Sequence, residues 1–243
     1  MPPNNTSASA IPLWQTLLFT LLTLIVFYFA QSVVLQHYIS IQKTASPDAG
    51  VAALFEKVAS DATAISLVSI LSSIAASLFL LLIMHLRSLP IKLYLSLNTF
   101  SKRDFFNWLL VMFGLIAFMH LFAYAISHET SDFMQNLWDS ADNVILLMIA
   151  VVIAAPIFEE LLFRGFLFSG LQSSYLGTGV AIGFSSAAWA ITHPQYGAFE
   201  LITLFAFGIL LAVSRVASRS ILLPITLHAI FNLFAVLQMA IFH

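Results

Sequence analysis

VILLMIAVVIAAPIFEELLFRGFLFSGL, residues 144–171, is the stretch that decides the fold. An apolar run of this length reads as a membrane-spanning helix, and yet Glu159, Glu160 and Arg164 sit inside it. Each charge held at the centre of a bilayer costs at least about 2.5–3.5 kcal/mol on insertion scales, so such residues are paired, turned to a water-filled interior, or functional. Three of them on adjoining turns of one helix predict a polar centre at membrane depth.

The composition of the 243 residues supports a membrane protein. Hydrophobic residues make up 60% and charged residues 8%, with 23 Phe, which leaves too little polar surface to cover a soluble domain. There is no Cys, so a disulfide framework, a Cys-ligated zinc site and a thiol nucleophile are all excluded. Chemistry must use His, carboxylates or hydroxyls. A net charge of −2 with scattered bases predicts no nucleic-acid partner.

Apolar runs predict an all-α polytopic membrane bundle of about seven transmembrane helices: Leu13–Val34, Ala62–Met84, Phe105–Ile126, Val144–Leu171, Gly179–Thr192, Leu201–Val213 and Ile221–Ile241. The fifth and sixth are short. Residues 1–141 hold the first three spans and 142–243 the four that form the expected catalytic core. The first span has no basic leader and is too long for a signal-peptide core, which predicts a retained span. Asn5-Thr6-Ser7 is formally a glycosylation sequon, placed by this topology in a cytoplasmic tail.

Orientation follows from Lys and Arg. The loop after span two carries Arg87, Lys92, Lys102 and Arg103, whereas the loop after span three carries Glu129, Asp132, Asp139 and Asp142 and no base. The basic loop is expected on the cytoplasmic side of an inner or plasma membrane. Propagated through seven spans, this puts the N-terminus inside, the C-terminus outside, and Arg215 and Arg219 inside. Seven of the nine glycines lie from Gly165 onward, and Gly179-x-x-x-Gly183 predicts close helix approach there. His120, alone in span three, is expected to hydrogen-bond to a neighbouring helix.

Helical rise predicts which polar groups can meet. Counted from the cytoplasmic ends of their helices, Glu159 and Glu160 stand roughly 18–20 Å up, His193 roughly 21 Å, His228 roughly 12 Å and Asn232 roughly 18 Å. Pro194 stops the fifth helix just after His193. Glu160 and Arg164, spaced i, i+4 with the acid first, are expected to pair, leaving Glu159 free about 100° around the helix. His228 and Asn232 share a face, as do Trp189 and His193. A proton-accepting carboxylate, two imidazoles that bind either water or a divalent metal, and an amide for an oxyanion are the parts peptide hydrolysis needs. Two His and one Glu also make a three-ligand catalytic zinc set.

These residues resemble a known family. Glu159-Glu160-Leu161-Leu162-Phe163-Arg164 looks like the E-E-x-x-x-R motif of the CPBP intramembrane proteases, the CAAX-processing and bacteriocin-processing or Abi proteins. Trp189-x-x-x-His193 matches their F-x-x-x-H motif, with Trp where Phe is usual, and His228-x-x-x-Asn232 matches H-x-x-x-N/D. The likeness covers roughly Asp142–Phe242 and suits a prokaryotic member. It implies that Glu159 activates water, that Glu160 and Arg164 support it, that His193 and His228 hold the water or, with Glu159, a divalent metal such as zinc, and that Asn232 serves the oxyanion. The implied partners are membrane lipids and a hydrophobic or lipidated peptide or protein substrate.

Two other classes fit part of the pattern. Glu and His at the midplane also mark proton or cation paths in transporters, although no inverted repeat is evident. A catalytically silent member acting as an immunity or scaffold protein would keep the fold without the chemistry.

Overall fold

The structure is a computed structural model that describes residues 11–128 and 133–242. The Asn5 sequon, Glu129 and Asp132 lie outside the described residues. The described chain is helical: α1 (Leu13–Ala45), α2 (Val51–Ala59), α3 (Ala62–Leu86), α4 (Ile91–Tyr94), α5 (Lys102–Ala125), α6 (Phe133–Asp139), α7 (Val144–Ser173), α8 (Gly177–Ile191), α9 (Ala198–Ser218) and α10 (Leu222–Phe242). Six of these, α1, α3, α5, α7, α9 and α10, are long and apolar enough to cross a membrane. The seventh expected span, α8, is the short one, at 15 residues. Span six departs from expectation: Leu201–Val213 is the middle of α9, a full 21 residues, because Phe199, Glu200 and Arg215 extend the helix beyond the purely apolar run.

Local chemistry places the helix starts. Asp61 Oδ1 accepts the N–H groups of Thr63 and Ala64 to cap α3, Ser101 Oγ caps α5 through the Asp104 N–H, and Asn143 Oδ1 caps α7 through the Leu146 N–H. Each satisfies donors that a helix leaves without intrahelical partners.

Contacts far apart in sequence define the two ends of the bundle. At one end Arg87 donates to Gln15 (2.8 Å), Asn98 to the Arg219 carbonyl (2.8 Å), and Arg215 to Ser169 (2.7 Å). At the other, Tyr38 donates to Asp61 (3.0 Å), the Ala62 N–H to Ser140 (3.2 Å), and His128 meets Glu200 (2.8 Å). The first end gathers Arg87, Lys92, Lys102, Arg103, Arg215 and Arg219, and the second gathers Asp48, Glu56, Asp61, Asp139, Asp142 and Glu200 beside Lys43 and Lys57. These are the basic and acidic ends. Chain direction then reverses at every long helix and at α8.

The buried core draws on both halves of the chain, from Ile11, Ala76, Met84 and Met112 to Phe158, Phe166, Trp189, Phe207 and Leu227. Close helix approach does not occur where the Gly-x-x-x-Gly pattern suggests it. A Cβ at Gly179 or Gly183 would meet nothing within 4 Å, whereas one at Gly170 would overlap the Thr16 side chain of α1, and one at Gly208 would stand 3.0 Å from Arg164 and Ser186. The spacing is only a local permission to pack. His120 also departs from expectation: it is exposed, and its Nδ1 bonds the Ile116 carbonyl one turn back, within its own helix.

Candidate active site

The helix carrying the acidic pair is not uniformly α. Ile149–Ala154 and Glu160–Leu167 are wound as π-helix, a rare variant that occurs mostly as single-turn bulges, frequently at functional sites. Pro156 explains how the first stretch is tied to α10. In the π register the Ala155 N–H bonds the Ala150 carbonyl, so the next carbonyl, Val151, would require the N–H of residue 156. Proline has none. Asn232 Nδ2 on α10 donates to that carbonyl instead, at 2.8 Å. One donor of the amide expected to serve the oxyanion is thus committed to holding α10 against α7.

The ion pair forms as the spacing predicts. Arg164 donates to Glu160 Oε1 at 2.9 Å, with both side chains wholly buried. The guanidinium also reaches the Gly208 carbonyl at 3.3 Å and lies over the Trp189 ring, 4.6 Å from its centroid. The bare Cα of Gly208 leaves room for this contact. The same Glu160 oxygen takes His228 Nδ1 at 3.0 Å, which assigns the proton to Nδ1 and directs the Nε2 lone pair away. Glu160 therefore orients a histidine as well as pairing with Arg164, a relationship hidden in the sequence.

Glu159 is not free. Trp189 Nε1 donates to Glu159 Oε2 at 2.5 Å, so the residue that departs from the usual Phe supplies a hydrogen bond that Phe cannot make. His228 Nε2 stands 3.8 Å from the same oxygen. His193 Nδ1 donates to the Trp189 carbonyl at 3.0 Å, which leaves its own Nε2 as an acceptor. The indole packs edge-on against both imidazoles, at 5.1 and 5.2 Å between centroids.

A cavity of about 370 Å³ opens on this group, and Glu159, Trp189, His193, His228 and Asn232 all line it. That volume suits a small ligand or a short peptide segment. Residues outside the three sequence motifs complete it: Tyr28 and Gln31 of α1, Ser66 and Ser69 of α3, and Tyr196, which stacks near His193 at 6.3 Å. The Ser66 hydroxyl is buried without a partner. Only a polar residue recurring in an apolar helix could have flagged these positions. The donor types suit a divalent ion, but among the described residues no three His, Asp or Glu side chains stand close enough together to hold one.

Residues 141–234, which contain all six motif residues and the aromatic Trp189, match the Rce1-like family, the type II CAAX prenyl endopeptidases. Over this segment the chain is similar to the CAAX-protease family. It is also 34% identical over 110 residues to an uncharacterized 24.3 kDa protein of Escherichia coli, a match that takes in 43% of this chain. The chain spans about half, 50%, of the length of that curated relative. No solved structure matches. The family segment starts just before α7 and stops within α10, so α1 and α3, which wall the cavity, lie outside it.

Proposed function

We propose that this protein is an intramembrane endopeptidase in which Glu159 activates water. The observation that carries the reading is the convergence of one half-buried carboxylate and two imidazole Nε2 lone pairs on a single cavity at membrane depth. Water seated among Glu159 and the two Nε2 atoms attacks the substrate carbonyl carbon, and Glu159 takes one of its protons. A C–O bond forms, the peptide C–N bond breaks, and the proton passes to the departing amine nitrogen. Glu160 supports the step by holding His228 Nδ1–H, so that Nε2 faces the water rather than the protein. The substrate is a hydrophobic or lipidated polypeptide, because the catalytic group is out of reach of loops in bulk water.

A divalent ion, the cofactor that the family resemblance implies, would draw on Glu159, His193 and His228 and would supply a water of lowered pKa. In the arrangement described above those donors do not form a holding group, so Glu159 would have to leave the indole N–H. Chelator dialysis with elemental analysis separates the two versions: activity surviving in metal-free protein supports water held by side chains alone, and activity restored by added zinc supports the ion.

The test of the main reading is hydrolysis of membrane-inserted peptides by protein reconstituted in lipid vesicles. Glu159→Gln is isosteric but cannot accept a proton, so cleavage should vanish while the variant stays folded. Turnover near wild type in that variant would overturn the assignment. Proton-coupled flux lost in the same variant would instead favour a carrier.

A further inference from the structure

The cavity has a direction. From Glu159 it runs past Leu147, twelve residues towards the acidic end of α7 and so about 18 Å along the helix. Its walls there are Gln31, Ser66 in the first turns of α3, Phe133 of α6, and Tyr196 of the loop after α8. None of its lining comes from the chain at the basic end, 86–101, 168–178 or 214–222. On that side of the acidic pair the bundle is sealed by Leu95, Phe166, Leu167, Phe168 and Leu171, each no more than 1% exposed. Close packing of this kind leaves no path for water or peptide.

The charges give the two ends a side. Arg87, Lys92, Lys102, Arg103, Arg215 and Arg219 gather at the sealed end, and an excess of Lys and Arg in short loops marks the cytoplasmic face. We infer that the site takes its substrate from the extracytoplasmic half of the membrane: a polypeptide segment that reaches the bilayer from outside, or that stands in the outer leaflet, is the class that fits. A lipidated C-terminus displayed on the cytoplasmic leaflet would meet the sealed end. The wall formed by α1 and α3 offers Tyr28, Gln31, Ser69 and the unpartnered, buried Ser66 hydroxyl, neutral hydrogen-bonding groups suited to a peptide backbone rather than to a charged terminus. The inference rests on the proteolytic reading for the word substrate, but not for the direction of access.

The absence of Cys makes the experiment direct. Single cysteines at Gln31 and at Ser69, both half-buried in the cavity wall, and at Ser101 at the basic end are probed with a charged, membrane-impermeant methanethiosulfonate in right-side-out and inverted vesicles. Gln31→Cys and Ser69→Cys should react only in right-side-out vesicles, and Ser101→Cys only in inverted ones. Reaction of the cavity cysteines from the same side as Ser101→Cys, reaction of Ser101→Cys from outside, or no reaction of either cavity cysteine from any side would each overturn the inference. Labelling needs no turnover: correct sidedness in a protein that cleaves nothing would sink the protease reading alone, and the two cavity positions guard against one that fails to fold.

Discussion

The indole N–H of Trp189 donates to Glu159 Oε2 at 2.5 Å, while the ring face of the same indole receives the Arg164 guanidinium 4.6 Å from its centroid. One side chain thus links the buried ion pair to the carboxylate assigned to water. Neither partner of the ion pair touches the indole N–H, so the two functions of Trp189 can be separated.

Trp189→Phe keeps an aromatic wall for Arg164, His193 and His228 and deletes only the donor. Hydrogen bonds to charged groups contribute about 1.5–3 kcal/mol. If this one holds Glu159 in its reactive position, kcat should fall about tenfold or more, by the rule of about 1.4 kcal/mol per decade, with KM little changed. A steady-state comparison in lipid vesicles checks this. An unchanged kcat would show that the ring alone matters.

Glu160→Gln and Glu159→Gln should differ in stability, not only in activity. Glu160 is wholly buried and serves both Arg164 and His228, and breaking one side of a buried ion pair costs about 3–5 kcal/mol. Glu159 has a side chain 16% exposed to the cavity, where water can replace lost contacts. Thermal unfolding in detergent should show a large drop in Tm for Glu160→Gln and a small one for Glu159→Gln. Equal melting temperatures would contradict this division of labour.

Asn232 and Pro156 should be coupled. Asn232→Leu leaves the half-buried Val151 carbonyl without its side-chain donor, a loss of at most about 1–3 kcal/mol. Pro156→Ala restores a backbone N–H at the position the π register requires, so the same Asn232→Leu change should cost less in that background. A double-mutant cycle on Tm measures the coupling, and additive effects would mean that Asn232 does not replace the missing proline donor.

Glycine substitutions should sort by contact rather than by motif. Gly208→Ala and Gly170→Ala place a Cβ against Arg164 and Ser186 or against Thr16, with overpacking costs of about 1–3 kcal/mol. Gly179→Ala and Gly183→Ala enter open space and should be neutral or stabilising by up to about 1 kcal/mol. Melting curves of the four single variants decide it. Destabilisation at Gly179 or Gly183 would restore the motif's claim.

Much of the fold was legible because hydropathy is a local property. The apolar runs that begin at Leu13, Ala62, Phe105, Val144 and Ile221 all fall on long helices, and the shortness of α8 follows from Pro194 and the few apolar residues before it. The end of α9 lies beyond the apolar run, past a charged residue, Arg215, that by hydropathy alone belongs to a loop. It is 4% exposed, its charge meets Ser169 at 2.7 Å and lies over the Phe168 ring, so burial with partners let the helix continue. The packing face of α8 is not legible from Gly179 and Gly183, because small residues permit contact without producing it.

By itself the sequence determined that the chain lives in a membrane, that Glu159, Glu160, Arg164, His193, His228 and Asn232 can stand at similar depths, and that Glu160 meets Arg164, since helical rise and i, i+4 spacing need no knowledge of neighbours. Only the tertiary structure decided that Trp189 takes Glu159, that Glu160 turns His228, that Asn232 answers the carbonyl stranded by Pro156, and that the cavity extends from Glu159 towards the acidic end. Those contacts join residues 30, 68 and 81 positions apart on different helices, and which faces meet is set by packing shape and by the cost of leaving buried polar groups unpaired where no water can reach them.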